Sequence, residues 1–211
     1  MPRFSLLSLS ARAVATGLFL AVLSVSSAAQ NGTTFGRVQN LILNGDFDMG
    51  DTGFASDYVF GDVTGPGTYT IGTNPSMVPG HYPDWGNFGD HTTGTGNMFI
   101  ANGGNSVSTK VWSETVAVDP ETPYRVSFWA ATINTSSPSP AALLLEITGE
   151  RVGGLILPTN NPVAGGSWVN FAGYWASGGS TSAMLVIYDE NIATAFNDFV
   201  LDDITLGKDE K

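Results

Sequence analysis

The segment 124–132 alternates in character between two phases, Tyr124, Val126, Phe128 and Ala130 against Arg125, Ser127, Trp129 and Ala131. A period of two residues is that of a β-strand, because successive side chains of a strand point to opposite faces. Such a strand buries its apolar face against a second layer. The segment therefore predicts one strand of a layered β-structure.

Short segments of this kind recur along the chain and are separated by turn residues such as Asn44-Gly45 and Asp119-Pro120. We predict strands at 41–43, 98–101, 110–118, 124–132, 141–148, 153–157, 168–175, 182–188 and 199–206. Charged residues are only 13% of the chain and it has 26 Gly, which is atypical of a helical bundle. The fold class expected is all-β, a jelly-roll β-sandwich of about eight or more antiparallel strands.

The first 29 residues predict a secretory signal peptide. Arg3 and Arg12 are positive, the stretch Ala13–Val25 is apolar, and Ser27-Ala28-Ala29 places small residues before a cleavage site at Gln30. The apolar stretch is shorter than the ~20 residues that span a bilayer. We expect a secreted or periplasmic protein, without membrane insertion after cleavage.

The remaining chain divides by composition into three parts. Residues 30–39 are expected to form a polar leader, 40–206 the β-sandwich domain, and 207–211 a short polar tail. The formal net charge of −11 argues against a nucleic-acid partner, since such binding needs Lys and Arg on the phosphates. The chain has no cysteine and no zinc-protease, nucleophile-elbow or P-loop motif, so no catalytic residue is predicted.

The densest group of carboxylates is Asp46, Asp48 and Asp51, around a turn. Alternate acidic residues on a turn can direct several oxygens at one Ca²⁺ ion. A second acidic pair is Asp202-Asp203, in the last predicted strand. Asp202 shares a phase with Val200, Ile204 and Leu206, which directs it at the apolar face, where an unpaired carboxylate is unfavourable. Solvated turn residues or helix caps are the alternative interpretation.

The segment Asn40–Asp48, followed by Gly53-Phe54, resembles the opening strand of the galactose-binding-like jelly rolls, a group that includes many carbohydrate-binding modules. Phe199–Ile204 resembles the closing strand of the group, and Val111–Val116 its middle. Residues 88–98 are similar to a subgroup from exported bacterial proteins. The resemblance implies a structural Ca²⁺ that joins the first strand to the last. Its ligands by position are Asp46, Asp48 and Asp202, with Gly45 and Asp51 as lesser candidates.

Sugar sites combine a flat aromatic ring with polar groups that bind hydroxyls. The candidates for ligand contact are Tyr82, Trp85, Asp90, His91, Arg125 and Trp129. Two alternatives stay open: Trp85 and Phe88 cap one end of the sandwich, and Asp90 and His91 make only turn hydrogen bonds. Trp112 and Trp168 are interpreted as core residues.

Three functions are compatible with these patterns. The first is a Ca²⁺-stabilised, non-catalytic, lectin-like protein that binds an extracellular or cell-surface glycan. The second is a structural or adhesive cell-surface protein that uses the same sandwich for protein contacts. The third is a small hydrolase, which requires two carboxylates facing each other across a cleft.

Overall fold

The computed structural model describes residues 39–159 and 167–209. The predicted signal peptide, most of the predicted leader and residues 210–211 lie outside these ranges. The described residues form one short 3₁₀ helix, Pro75–Met77, and ten strands. The strands are β1 Val59–Phe60, β2 Thr68–Gly72, β3 Met98–Asn102, β4 Lys110–Ala117, β5 Pro123–Thr132, β6 Ala142–Ile147, β7 Glu150–Ile156, β8 Val169–Ala176, β9 Ser182–Asp189 and β10 Phe199–Lys208.

The strands form two sheets that pack as a sandwich. One sheet has six strands in the order β1-β2-β3-β10-β5-β8, and the other has four in the order β4-β9-β6-β7. The pairings within these sheets are antiparallel except for the parallel pair β1–β2. The all-β jelly-roll sandwich expected from the sequence is confirmed.

The main core lies between the two sheets and follows the alternation of the sequence. Tyr124, Val126, Phe128 and Ala130 of β5 are all fully buried in it. Each large apolar side chain buried in this way contributes about 1.5–3 kcal/mol relative to an exposed one. Trp112 is buried there too, whereas Trp168 is only partly buried. Trp168 packs against a second, smaller core.

The second core covers part of the outer face of the six-stranded sheet. We call residues 73–97, between β2 and β3, the cover segment; its Val78, Trp85 and Phe88 are buried in this core. They pack with Val63 and with residues on the outward phase of the sheet, Met98, Ile100, Ala131 and Val200. Trp85 and Phe88 therefore cover the outer face of this sheet, which differs from the cap at one end of the sandwich considered from the sequence.

The structure differs from the sequence-based prediction in two of its strand assignments. Residues 41–43 form no strand; the segment 40–45 is instead joined to β10 by individual hydrogen bonds, from Leu41 N–H to the Leu206 carbonyl and from Ile204 N–H to the Gly45 carbonyl. Strands β1 and β2 lie in the stretch from which none was predicted. β1 is only two residues long, and the Thr- and Gly-containing sequence of β2 carries too weak an apolar alternation to indicate a strand.

A bulge in β10 overturns the predicted phase of Asp202. The pairing of β10 with β5 shifts between Asp202 and Thr205, and Asp203 has the left-handed φ of 49°. An extra residue in one strand reverses the faces of the residues that follow it. Asp202 therefore shares the outer face with Val200, while Ile204 and Leu206 lie in the main core. Asp202 is buried all the same.

Replacement of Phe88 by alanine is expected to destabilise the fold by about 3–5 kcal/mol, because a Phe side chain that is 3% exposed leaves a cavity when truncated. Met77→Ala is the matched control in the same cover segment, since Met77 is 71% exposed. Urea unfolding of both variants measures the difference. Equal effects of the two substitutions would show that the cover segment does not seal the sheet.

Candidate functional site

The outer face of the six-stranded sheet has an open region beyond the cover segment. Arg125 lies opposite Tyr174 of β8 and Gly207 of β10, and Ser127 lies opposite Ala172 and Thr205. We call the concavity lined by Arg125, Ser127, Thr205 and Gly207 the sheet groove; its volume is about 390 Å³.

One exposed aromatic ring lies next to the sheet groove, which is itself lined by several hydrogen-bonding groups. Tyr174, on the edge strand β8, is 66% exposed and lies opposite Arg125. Arg125 beside it is exposed and offers a guanidinium, and the hydroxyls of Ser127 and Thr205 lie 2.7 Å apart. Alternation places Trp129 on this same face, two residues further along β5.

His91 joins the cover segment to the sheet beside Trp129. Its ring stacks on that of Trp129 with a centroid distance of 3.8 Å, and Trp168 meets it edge-on at 5.8 Å. His91 Nδ1 lies 2.7 Å from a carboxylate oxygen of Asp203, and its backbone N–H donates to Asp202. His91 thus covers one face of Trp129 and anchors the cover segment on β10.

Asp90 organises the loop that carries His91. Its carboxylate accepts hydrogen bonds from the Thr93 N–H, the Thr93 hydroxyl and the Gly96 N–H. Burial alone would raise the pKa of Asp90, but these hydrogen bonds outweigh burial and lower it below its ordinary value. The carboxylate is therefore engaged within its own loop.

A second concavity lies at the other end of β5, and we call it the end cavity. Its volume is about 450 Å³. The described residues that line it include Tyr82, Asp84, Asn102, Asn134, Phe196 and Asp198. Asn134 Nδ2 donates to both acidic side chains, at 3.1 Å to Asp84 and 3.0 Å to Asp198.

Asp198 is a buried charge held by hydrogen-bond donors. One carboxylate oxygen accepts from the Gly103 N–H, and the other accepts from the Trp85 indole N–H and from Asn134. Burial raises the pKa of Asp198, and these three donors counteract the rise. Trp85 is thus a buried residue that supports Asp198, and its ring is not among the groups that line the end cavity.

The structure separates the six predicted contact residues into two places. Arg125, Trp129, His91 and Asp90 belong to the sheet groove or the loop beside it. Tyr82 borders the end cavity, and Trp85 is buried next to it, bonded to Asp198. Sequence reasoning missed Tyr174, Asp84, Asn134, Phe196 and Asp198. A signal for Tyr174 was available in β8, because strand alternation places Tyr174 on the face opposite to Gly173 and Trp175. The sequence offered no signal for the other four residues, which come together only in the folded protein.

The five expected calcium ligands are engaged with the protein itself. Asp46 accepts from the Asp48 N–H, Asp48 from the Asn97 N–H, Asp51 from the Tyr69 hydroxyl, and Asp202 from the His91 N–H. Across residues 39–159 and 167–209, no group of three or more His, Asp or Glu residues is placed to hold a metal ion. The calcium site expected from the sequence stays a prediction.

Gly45 has a steric reason for being glycine. A Cβ at this position would lie 2.0 Å from the Ile204 carbonyl oxygen. The close approach allows the Gly45 carbonyl to accept from the Ile204 N–H, and Asn40 adds bonds to Ile204 and Leu206. The first described residues and the last strand are therefore joined by direct hydrogen bonds.

Asp202 and Asp189 are buried acids whose charged forms are disfavoured. Burial, with repulsion from Asp203, raises the pKa of Asp202 to about 7. Burial also raises the pKa of Asp189 to about 6, although its carboxylate accepts from the Ala142 and Asn191 N–H groups and from Asn197. Asp198 adds repulsion to Asp189.

The comparisons with known proteins concern the fold. No protein-family model matches the sequence, and no curated protein is similar to it. Among solved structures, a Stig cyclase from Fischerella sp. TAU matches with a TM-score of 0.53 at 10% identity, over 82% of this chain and 98% of that one. The tandem CBM22-1–CBM22-2 domain of Paenibacillus barcinonensis Xyn10C matches with a TM-score of 0.50 at 12% identity, over 82% of this chain and 47% of that one.

The chain has a jelly-roll fold similar to that of carbohydrate-binding modules. The EclA C-terminal domain, described as a sugar-binding protein, also matches, with a TM-score of 0.39 at 19% identity over 46% of this chain. This chain spans 66% of the EclA domain and about half of the Xyn10C tandem. In the part of the chain that the structure describes, no helix has the length and apolar character needed to cross a bilayer.

Asp189→Asn is expected to change the pH dependence of stability between pH 4 and pH 7. The pKa of Asp189 is raised from 3.8 to about 6 in the folded protein, so its stabilising contribution is full below pH 3.8 and is lost as pH rises through 6. The wild-type free energy of unfolding, relative to the variant, should fall by on the order of 3 kcal/mol across this range. Urea unfolding at several pH values measures it; a constant difference would contradict the prediction.

Proposed function

We propose that this protein is an exported, non-catalytic carbohydrate-binding protein that contacts a glycan chain through the sheet groove. The observation that carries the proposal is the exposed ring of Tyr174 on the open face of the sheet, beside the Arg125 guanidinium. An aromatic ring that is 66% exposed on a strand loses contact with water when a sugar ring stacks on it.

The polar groups of the sheet groove suit hydroxyl-rich ligands. Arg125 is a donor only, while the hydroxyls of Ser127 and Thr205 both donate and accept. Asn170, opposite Trp129 in register, adds an exposed amide to the same face. Arranged along one face, these groups can bind the hydroxyls of successive sugar units while Tyr174 contacts an apolar ring face.

The spread of the polar groups favours a chain over a single sugar. Arg125 and Trp129, with Asn170 opposite it, are separated along β5 by roughly 13 Å, so a ligand that reaches both ends of this row has more than one sugar unit. The similarity in fold to carbohydrate-binding modules agrees with this proposal, and the predicted signal peptide directs the protein to where extracellular glycans are found.

Tyr174→Ala is expected to weaken binding of a soluble polysaccharide at least tenfold, about 1.4 kcal/mol, because the stacking surface is removed. Tyr174→Phe should bind within about twofold of the wild type, since the ring is retained. The measurement is isothermal titration calorimetry against a polysaccharide selected from a panel of xylan, mixed-linkage β-glucan, galactan and mannan.

Met184→Ala is the matched control, because Met184 is an exposed side chain on β9 of the other sheet. Its substitution should leave binding unchanged. Failure of the wild type to bind any glycan of the panel would overturn the proposal and favour the adhesive alternative, in which the sandwich contacts proteins. Equal loss in Tyr174→Ala and Met184→Ala would move the site off the sheet groove.

The export component has its own test. Expression of the full chain in a Gram-negative host should give a periplasmic or secreted product whose first residue is Gln30, because small residues precede that position. N-terminal sequencing of the purified product measures this. A product that retains Met1 and stays in the cytoplasm would contradict export and leave the binding proposal unaffected.

A further inference from the structure

We propose that the end cavity is a second site, separate from the sheet groove, and that it binds a small ligand carrying a primary ammonium group. The end cavity has the size of a small-molecule site, at about 450 Å³. Arg125 of the sheet groove and Asn134 of the end cavity are nine residues apart along β5 and its extension, which corresponds to roughly 30 Å of extended chain.

The side chains that line the end cavity offer acceptors and negative charge. Asp84 and Asp198 are carboxylates, and none of the described lining residues is Lys, Arg or His. The donors of the two lining amides are already used, since Asn102 Nδ2 donates to the Val63 carbonyl and Asn134 Nδ2 to the carboxylates. A ligand that brings donors and positive charge complements such a surface.

Asn134 supplies an unpaired acceptor. Its side chain is only 2% exposed, and its Oδ1 has no hydrogen-bond partner. The amide cannot be reversed to relieve this, because Nδ2 must face two carboxylates that only accept. A buried acceptor without a donor is unfavourable by about 1–3 kcal/mol, and its partial negative charge beside the end cavity adds to that of the two carboxylates.

Two aromatic rings border the same cavity. Tyr82 and Phe196 are 42% and 41% exposed, and the Tyr82 hydroxyl donates to the Thr64 carbonyl, which fixes the direction of its ring. Phe196 has the left-handed φ of 67°, rare for a bulky residue. Its carbonyl accepts from the Ser137 hydroxyl, which helps to hold the backbone there. Aromatic faces attract cations and contact the hydrocarbon part of an amine.

An ammonium group fits these features better than a metal ion or a neutral alcohol. Both oxygens of Asp198 already accept N–H groups, which a metal ion would have to displace. A neutral alcohol can hydrogen-bond to a carboxylate but carries no charge for the two carboxylates to attract. A primary ammonium adds the attraction of its positive charge to Asp84 and Asp198.

The test is a pair of ligands of one shape that differ in charge. Calorimetric titration of the full-length protein at pH 7 with benzylamine and with benzyl alcohol should show at least tenfold tighter binding of the amine. Cyclohexylamine and cyclohexanol repeat the comparison with an aliphatic ring. The indole N–H resonance of Trp85, which is bonded to Asp198, should shift on addition of either amine, placing the ligand in the end cavity.

Two substitutions separate the site from general attraction by the acidic protein. Asp84→Asn should weaken amine binding at least tenfold, whereas Glu150→Gln, which removes one charge from an exposed position of β7, should change it less than twofold. Phe196→Leu should weaken it several-fold by removing an aromatic face.

Equal affinity for amine and alcohol, equal effects of the two charge substitutions, or no binding of either amine at millimolar concentration would each overturn the proposal. Displacement of the amine by equimolar Ca²⁺ would reassign the cavity to a metal. Polysaccharide binding to the sheet groove is expected to survive Asp84→Asn, so failure of one site is distinguishable from failure of the other.

Discussion

The six-stranded sheet is apolar on both faces in its middle, and the rest of the structure follows from covering both. The inward phase of β3, β5 and β10 packs on the four-stranded sheet, while the outward phase carries Met98, Ile100, Ala131 and Val200. Apolar groups on that outward face must also leave water. The chain meets this need with the cover segment, which places Trp85 and Phe88 over the outward residues.

The extent of the cover segment decides where ligands have access. At one end of β5 the cover stops at His91 and Trp129, and beyond them the sheet groove is open. At the other end, Tyr82 and Asp84 of the cover segment meet the residues that precede β10, and the end cavity lies between them. Both candidate sites thus lie where the cover segment ends. Their chemistry differs because different loops border them.

Buried carboxylates hold loops and strands in place in this acidic chain by accepting hydrogen bonds. Asp90 shapes its loop, Asp189 ties β9 to the start of β6, Asp198 holds Trp85 and Gly103, and Asp202 receives the His91 N–H. Each is held mainly by N–H donors, which lower its pKa, but burial outweighs these donors and raises the pKa of Asp189, Asp198 and Asp202. The aspartates that suggested a calcium site in the sequence also accept hydrogen bonds from neighbouring residues.

The sequence alone determined the fold class and most strands, because a period of two residues and an apolar phase follow from local geometry, as in Tyr124–Ala130. It also brought Arg125 and Trp129 to one face. Only the tertiary structure decided that the bulge beside Asp203 moves Asp202 to the outer face, and that Trp85 is a buried support. It alone brought Asp84, Asn134 and Asp198 together, because contacts between residues 50 and 64 positions apart depend on how layers pack, which no local pattern records.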